Sequence, residues 1–568
     1  MLLKAVLKYK WQVLGSVTMV CLYVASSLMQ PYYLERVLAA VSKNDQAAIL
    51  HLGAWLVGIA LMGLVAGALN TVLAAFIAQS VSADIRERLF KKIQSFSYAN
   101  IEDFNAGNLV VRMTNDVNQV QNLLMMFFQV LLRMPIIFVG AFVMALVTLP
   151  QLWWIVIGMV LLIGLGMGLL MGMMGPRFAV FQGLMDRINS IAKENLRGVR
   201  VVKSFVQEKP QEEKFRQVSD ELLGLNLFIG NGFAFLQPFF FLVSYLALYL
   251  AIYMVYTMMG TVPEGVNRLA SFDTYLMQIM FAIIMLGFLS TNITRALVSI
   301  RRIKEVLTTE PAMTFATDEV HDLEGSVKFD HVTFTYPKDT EPTLKDVSFH
   351  IQAGQMVGVV GATGSGKSTL AQLIPRLFDP QEGKITIGGE NLKDMSQRTL
   401  RETVSIVLQK AILFSGTIAS NIRQGKRDAK DYEIARAARI AQAREFIDRM
   451  PSTYDSEVEE RGNNFSGGQK QRMSIARGLV SKPKVLILDD STSALDAQSE
   501  KLVQEALHKD LKGTTTIIIA QKISSVLKAD KILVLDEGRL IGEGSHKELL
   551  ESNAVYREIF ETQKGKEA

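Results

Sequence analysis

Cysteine is almost missing from the sequence: Cys21 is the only one in 568 residues. No intrachain disulfide can form, and a disulfide-stapled secreted fold and a cysteine-based zinc site are both excluded. Charge is also scarce, at 20% of residues, and the net value is only +5. No Lys/Arg-dense stripe stands out, so no nucleic-acid partner is expected. With 49% hydrophobic residues the chain is neither disordered nor composed like an ordinary water-soluble enzyme. It shows no internal repeat and no low-complexity tract, and no His/Asp/Glu cluster at metal-ligand spacing.

What is present falls into two unlike halves. Up to about residue 309 the chain carries charge-free runs at 11–34, 52–81, 134–176, 222–263 and 274–294. About 20 apolar residues cross a bilayer. The third run is long enough for two crossings and is broken by Leu149-Pro150-Gln151 before the interfacial pair Trp153-Trp154. Six transmembrane helices are expected, near 11–34, 52–78, 123–148, 152–175, 233–258 and 272–292. Lys and Arg gather at the start and in the segments after spans two and four, whereas the other loops carry only Arg36, Lys43 and Arg268. That bias places both termini in the cytoplasm. The first run is too long for a cleavable signal peptide and lacks its cleavage site. The two cytoplasmic segments read as continuing helices with short breaks at 98–107 and 205–211.

From about residue 326 the composition becomes soluble α/β. Strand patterns occur at 327–329 and 332–336. Apolar, mostly β-branched runs at 356–360, 485–488, 515–519 and 532–535 alternate with helical stretches, which predicts a mostly parallel sheet covered by helices. The expected division is a membrane domain over 1–310, a linker over 311–325 and a nucleotide-binding domain over 326–568. The fold class is thus an all-α six-helix transmembrane domain fused to a cytoplasmic α/β P-loop domain.

The chemistry sits in the second half. Gly361-Ala362-Thr363-Gly364-Ser365-Gly366-Lys367-Ser368 matches G-x-x-x-x-G-K-[ST], follows a predicted strand and precedes a predicted helix over 369–378, opening at Thr369. That is the context the motif requires. The glycines let backbone N–H groups approach phosphates, and the helix N-terminus favours their charge. Lys367 suits the β- and γ-phosphates of ATP, and Ser368 suits Mg2+. The apolar run 485–488 ends in Asp489, a carboxylate placed for the Mg2+ side. Phe465-Ser466-Gly467-Gly468-Gln469 then opens a helix just upstream of that strand.

These motifs, in this order and behind six membrane helices, resemble the ATP-binding cassette exporters, and the resemblance covers essentially the whole chain. It implies that Tyr336 stacks on adenine and that Gln409 links the Mg2+ site to the membrane helices. Ser466, Gly467, Gly468 and Gln469 would close on ATP held by a second cassette, and Ser493-Ala494-Leu495-Asp496 would cross the dimer interface. The breaks at 98–107 and 205–211 would be coupling helices. One cassette per chain implies a half-transporter that needs a second subunit.

Two positions depart from that family. A glutamate usually follows the Walker B aspartate, and here Asp490 stands there. Its carboxylate falls short by about 1.5 Å, and misplacement of about 1 Å can cost on the order of 100-fold in rate. A histidine usually contacts the γ-phosphate, and here that position is Gln521, which carries no positive charge. Smaller departures are Leu408, Lys410 and Phe465. The pattern resembles the degenerate-site subunit of heterodimeric bacterial multidrug exporters. It implies ATP and Mg2+ as cofactors and hydrolysis mainly at the partner's site. The implied partner is a different half-transporter that keeps the glutamate and histidine, and the implied setting is a bacterial plasma membrane.

Candidate substrate contacts are less sharply marked. Tyr245, Tyr249, Tyr253 and Tyr256 share one face of span five and suit flat or cationic amphipathic compounds. Arg133 lies within span three, where it either snorkels to the interface or meets substrate. Hydrophobic small molecules and membrane lipid are the expected ligands of the membrane half. Lipid or peptide export and a non-pumping ATP-switched subunit are the competing readings.

Overall fold

A computed structural model describes residues 2–257, 265–315 and 319–567. The last residue of the predicted fifth span, 258, and part of the expected linker, 316–318, lie outside the described residues. The chain divides into two compact units. One holds the residues up to Ile93 together with Gly107–Thr309, and the other holds Gln94–Ala106 together with everything from Glu310 onward.

The first unit is helical. Among the described residues, six helices are long and apolar enough to cross a membrane: Lys10–Ser42, Gln46–Gln94, Ala106–Thr148, Pro150–Arg197, Glu208–Thr257 and Asn267–Thr308. The longest has 50 residues. At about 1.5 Å per residue it runs roughly 75 Å, over twice the ~30 Å hydrocarbon core. The expected six spans are therefore the apolar centres of much longer helices. Their ends escape a hydropathy reading because the polar continuations stay helical. The turn at Leu149-Pro150-Gln151 is present as a short 3-10 segment, Pro150–Leu152, between spans three and four.

Spans three to six share an apolar core around Leu152, Ile163, Phe240 and Tyr275. Polar pins fix span one against its neighbours. Ser16 Oγ donates to Asn70 Oδ1 at 2.7 Å, and Asn70 Nδ2 donates to the Phe128 carbonyl at 3.2 Å. Tyr275 OH donates to the Leu28 carbonyl at 2.9 Å. The Phe128 carbonyl belongs to a π-helical turn, Phe127–Leu131, that interrupts span three just before Arg133. Such turns widen the backbone ladder and commonly sit beside polar sites.

The second unit is built on a six-stranded sheet in the order Arg539–Gly544, Lys531–Asp536, Met356–Gly361, Thr515–Ile519, Val485–Asp489, Val404–Val407. All its pairs are parallel except the first, which is antiparallel. Side chains alternate between two cores. Val357, Val359, Ile487 and Ile517 enter one, and Val360, Leu486, Leu488 and Ile518 enter the other. Burial of both faces is why these strands read as unbroken apolar runs.

A separate four-stranded antiparallel sheet, Leu344–Ile351, Val327–Phe334, Glu382–Ile387 and Glu390–Asn391, was not expected from the sequence. The patterns at 327–329 and 332–336 form one irregular strand ending at Phe334, so Tyr336 lies beyond it. The helix after the P-loop is Lys367–Leu373 rather than 369–378. Pro375 disfavours helix just before it, and Arg376 turns left-handed at φ 53°.

The central strand leaves no room at Gly358, where an added Cβ would sit 2.6 Å from Val526 Cβ. Gly358→Val is expected to destabilise the protein by about 1–3 kcal/mol, read as a lowered thermal midpoint of the purified full-length chain. Gly53→Ala, inside a helix and with open space around it, should leave the midpoint the same or slightly higher, since Ala is favoured over Gly in a helix by about 0.5–1 kcal/mol.

Candidate functional site

The parallel strands end at one edge of the sheet, where ligands of open α/β folds bind. There Met356–Gly361 runs into the glycine-rich loop, Val485–Asp489 ends in its carboxylate, and Thr515–Ile519 leads to Gln521. Gly361 has no space for a side chain, since a Cβ would lie 2.1 Å from the Leu535 carbonyl. Gly366, the residue before the helix, takes φ 96°, a conformation that costs a side-chain-bearing residue but not glycine.

These elements enclose a cavity of about 340 Å3. Thr363, Gly364, Gly366, Lys367, Ser368 and Thr369 line it from the loop and helix, and Gln409, Asp489, Asp490 and Gln521 line it from the neighbouring strand ends. Lys367 Nζ donates to the carbonyls of Gly361 (2.9 Å) and Ala362 (2.7 Å), and so lies over its own loop. Burial pushes its ammonium below the usual lysine range, partly opposed by Asp490 and Asp489. Ser368 Oγ donates to Asp489 Oδ1 at 3.0 Å. Hydroxyl, carboxylate and the Gln409 amide oxygen form an all-oxygen donor set that suits Mg2+. Gln409 Nε2 donates to Asp490 Oδ2 at 2.9 Å.

Asp490 is held at both ends of its backbone. Its N–H donates to the Ile519 carbonyl at 2.9 Å, and its carbonyl accepts from Ser493 Oγ at 2.9 Å. Its φ of 46° is unusual for a residue other than glycine. Burial raises the pKa of both Asp489 and Asp490 above the ordinary carboxylate value.

The remaining predicted residues lie elsewhere in the unit. Gly361 and Ser365 are in the loop itself but do not line the cavity. Tyr336 OH lies 3.0 Å from Thr369 Oγ1 at the side of the P-loop helix. Ser466, Gly467, Gly468 and Gln469 do not line this cavity. They form the start of a separate helix, Gly467–Leu479, closed by a reciprocal cap: Ser466 N donates to Gln469 Oε1 at 2.9 Å, and Gln469 N donates to Ser466 Oγ at 3.3 Å. A helix start of this kind favours negative charge. Gln471 ties that helix to the loop 493–496 by accepting from Ala494 N at 3.1 Å.

The break at 98–107 contains a short helix, Tyr98–Phe104, inside the second unit. Asn100 locks it to the chain after 309: its Oδ1 accepts from Ala312 N at 2.8 Å and its Nδ2 donates to the Glu310 carbonyl at 3.3 Å. The Tyr98 ring meets Phe378 edge-on at 5.5 Å, and Phe378 meets Tyr336 at 5.3 Å. Lys338 Nζ donates to the Glu102 carbonyl at 3.3 Å. Tyr336 is therefore one ring away from this helix. Asn100, Phe378 and Lys338 belong to no motif, and no sequence signal marks them. The second break forms a turn after the helix Val199–Ser204 in the first unit, with Phe205 and Val206 exposed at 70% and 77%.

In the membrane unit Tyr245, Tyr249, Tyr253 and Tyr256 all point away from its own core, at 55–71% exposure. Phe241 stacks on Tyr245 at 6.2 Å. The guanidinium of Arg133 lies over the Tyr23 ring at 4.9 Å, and its buried Nε has no hydrogen-bond partner among the described residues. It lines a cavity of about 150 Å3 with Tyr23, Asn70 and Gln129.

A family model for the ABC transporter transmembrane region matches residues 16–284, and one for the ABC transporter matches residues 344–493. The chain is 37% identical over 544 residues to a Bacillus subtilis protein named uncharacterized ABC transporter ATP-binding protein YfiB, covering 96% of this chain and 95% of that one. It is 34% identical over 492 residues to the ATP-dependent lipid A-core flippase of Pseudomonas putida, covering 85% and 80%. The structure of a bacterial Atm1-family ABC exporter with ATP bound aligns over 98% of both chains, with a TM-score of 0.78 at 27% identity.

The raised pKa of Asp490 has a defined sign. The native state binds the proton more tightly than the unfolded chain, so stability falls as pH rises through the raised value. Asp490→Asn should therefore raise the nucleotide-free melting temperature at pH 7. The gain should shrink as pH falls toward the ordinary value of 3.8. A gain constant across that range would assign the effect to packing instead.

Proposed function

This chain belongs to the ABC transporter family as an exporter half-transporter, one membrane region fused to one ATP-binding region, and we propose that it exports drugs or other amphipathic compounds as one half of a heterodimer. Its own P-loop site binds Mg-ATP and holds it, and its Ser466-Gly467-Gly468-Gln469 helix completes the hydrolytic site of a different half-transporter. That partner supplies the catalytic glutamate and the switch histidine. The setting is a bacterial plasma membrane with both termini cytoplasmic, which the Lys/Arg bias of the loops supports.

The observation that carries this reading is the pinned backbone of Asp490. Its N–H and carbonyl are both bonded, at 2.9 Å each, so the backbone cannot advance to offset a side chain one methylene shorter than glutamate. One carboxylate oxygen is already engaged by Gln409. Beside it Gln521 offers a hydrogen bond without charge. The phosphate-holding parts, by contrast, are complete: glycine loop, Lys367, Ser368 and Asp489. When bound, Mg2+ would supply charge neutralisation at the phosphates, and Ser368, Asp489 and Gln409 are the residues that would hold it. Binding without efficient water activation follows from that combination.

Two features favour lipid export as a second reading. Arg133 sits in a membrane-unit cavity with Asn70 and Gln129, a donor set suited to an anionic headgroup. One relative is named a lipid A-core flippase. The tyrosine face of span five suits apolar and cationic bodies equally well.

The test is ATP hydrolysis by the assembled transporter. Asp490→Glu with Gln521→His should raise turnover at this chain's site by on the order of 100-fold, with ATP binding unchanged. No increase while ATP still binds would overturn the degenerate-site reading. Arg133→Ala should weaken transport of anionic amphiphiles about tenfold and spare cationic drugs. Equal loss for both classes would remove Arg133 from headgroup recognition.

A further inference from the structure

The helix Ala554–Glu567 is seated on the second unit through one face. Asn553 starts it, with Oδ1 accepting from Tyr556 N at 2.9 Å. Tyr556 is fully buried, and its hydroxyl lies 2.7 Å from His546 Nδ1. Ile559 and Phe560 pack on the core cluster that also holds Ile523 and Val526. Tyr556, Phe560 and Gln563 follow at i, i+4 and i+7, and so point the same way.

Gln563 makes two hydrogen bonds to a single loop. Its Nε2 donates to the Gln521 carbonyl at 2.8 Å, and its Oε1 accepts from the Ile523 N–H at 2.8 Å. One amide thus satisfies a backbone acceptor and a backbone donor two residues apart, as a neighbouring strand would. The clasped peptide is part of the nucleotide site. Gln521 lines the cavity with Lys367 and Asp490. Asp490 N donates to the Ile519 carbonyl at 2.9 Å, two residues before Gln521, so the loop held by the C-terminal helix continues the strand end to which Asp490 is bonded.

We propose that Gln563 is a positioning residue of the nucleotide site: the C-terminal helix sets the loop bearing Gln521 and, through that loop, the place of the Asp490 carboxylate. The proposal rests on the reading of this cavity as an ATP site. It makes the position of the last helix a determinant of how ATP is held, although Gln563 itself touches no nucleotide.

The experiment is amide hydrogen exchange on the purified full-length chain with and without Mg-ATP, paired with the apparent Kd for ATP. In Gln563→Ala, exchange over 520–524 without nucleotide should rise roughly tenfold, since two hydrogen bonds are lost. Exchange in the strand Thr515–Ile519 and around Tyr556 should stay within twofold. The Kd for ATP should weaken several-fold. Gln563→Glu keeps the acceptor for Ile523 but loses the donor to Gln521, so it should protect Ile523 while still weakening ATP. Unchanged loop exchange in Gln563→Ala, or a rise across the whole helix, would overturn the proposal. So would faster loop exchange with ATP affinity unaltered, which would leave the contact merely structural. If the unmodified chain shows no ATP-dependent protection over 361–369, the ATP reading itself fails. The nucleotide-free exchange data keep that failure separate from failure of the clasp.

Discussion

A parallel sheet buried on both faces can present chemistry only at its strand ends. Alternate residues of Met356–Gly361, Thr515–Ile519 and Val485–Asp489 feed two separate cores, so none of these strands can slip by one residue without exchanging its faces. That register places the glycine loop, Asp489 and the loop to Gln521 side by side at one edge. The backbone at this edge is then pinned by the sheet itself, through Asp490 N to the Ile519 carbonyl. A one-methylene change in a side chain there is set against a backbone that the sheet holds.

The unit carries two separate features that suit phosphate. One is the cavity at the sheet edge. The other is the capped N-terminus of Gly467–Leu479, which lies outside that cavity and is joined through Gln471 to the loop 493–496. The helix Tyr98–Phe104 is built into the unit as well, stapled by Asn100 to the chain after 309 and linked edge-on through Phe378 to Tyr336. Chain segments that lead to the membrane helices are therefore tied directly to the residues around the P-loop. The cavity at the sheet edge and the helix Tyr98–Phe104 belong to one packed body.

Much of this was legible in the residues. Charge-free runs over 20 residues long announce membrane helices, because no other environment accepts so many of them. Their true lengths were not legible, since Gln46–Gln94 and Glu208–Thr257 continue as polar helices with no break to mark the interface. The nucleotide motifs were legible because they are local: neighbours in sequence bind one phosphate group. The antiparallel sheet was missed because Leu344–Ile351 and Glu382–Ile387 mix charged and apolar residues on half-exposed faces. The sequence leaves Arg133 between the interface and a substrate contact, and its neighbours, Tyr23 and the cavity beside Asn70, come from other helices that no local pattern could name. Asn100, Phe378 and Gln563 had no signature at all. Each is an ordinary residue whose role comes from a partner far along the chain.

The central claim is asymmetry: this chain binds ATP and lends its signature helix to a subunit that hydrolyses it. Isolation of the tagged chain from the membranes of its own cell, with every stoichiometric partner identified by mass spectrometry, tests that claim most directly. The account predicts a second half-transporter carrying a glutamate at the position of Asp490 and a histidine at the position of Gln521. Recovery of this chain alone, as a dimer with itself, would contradict it.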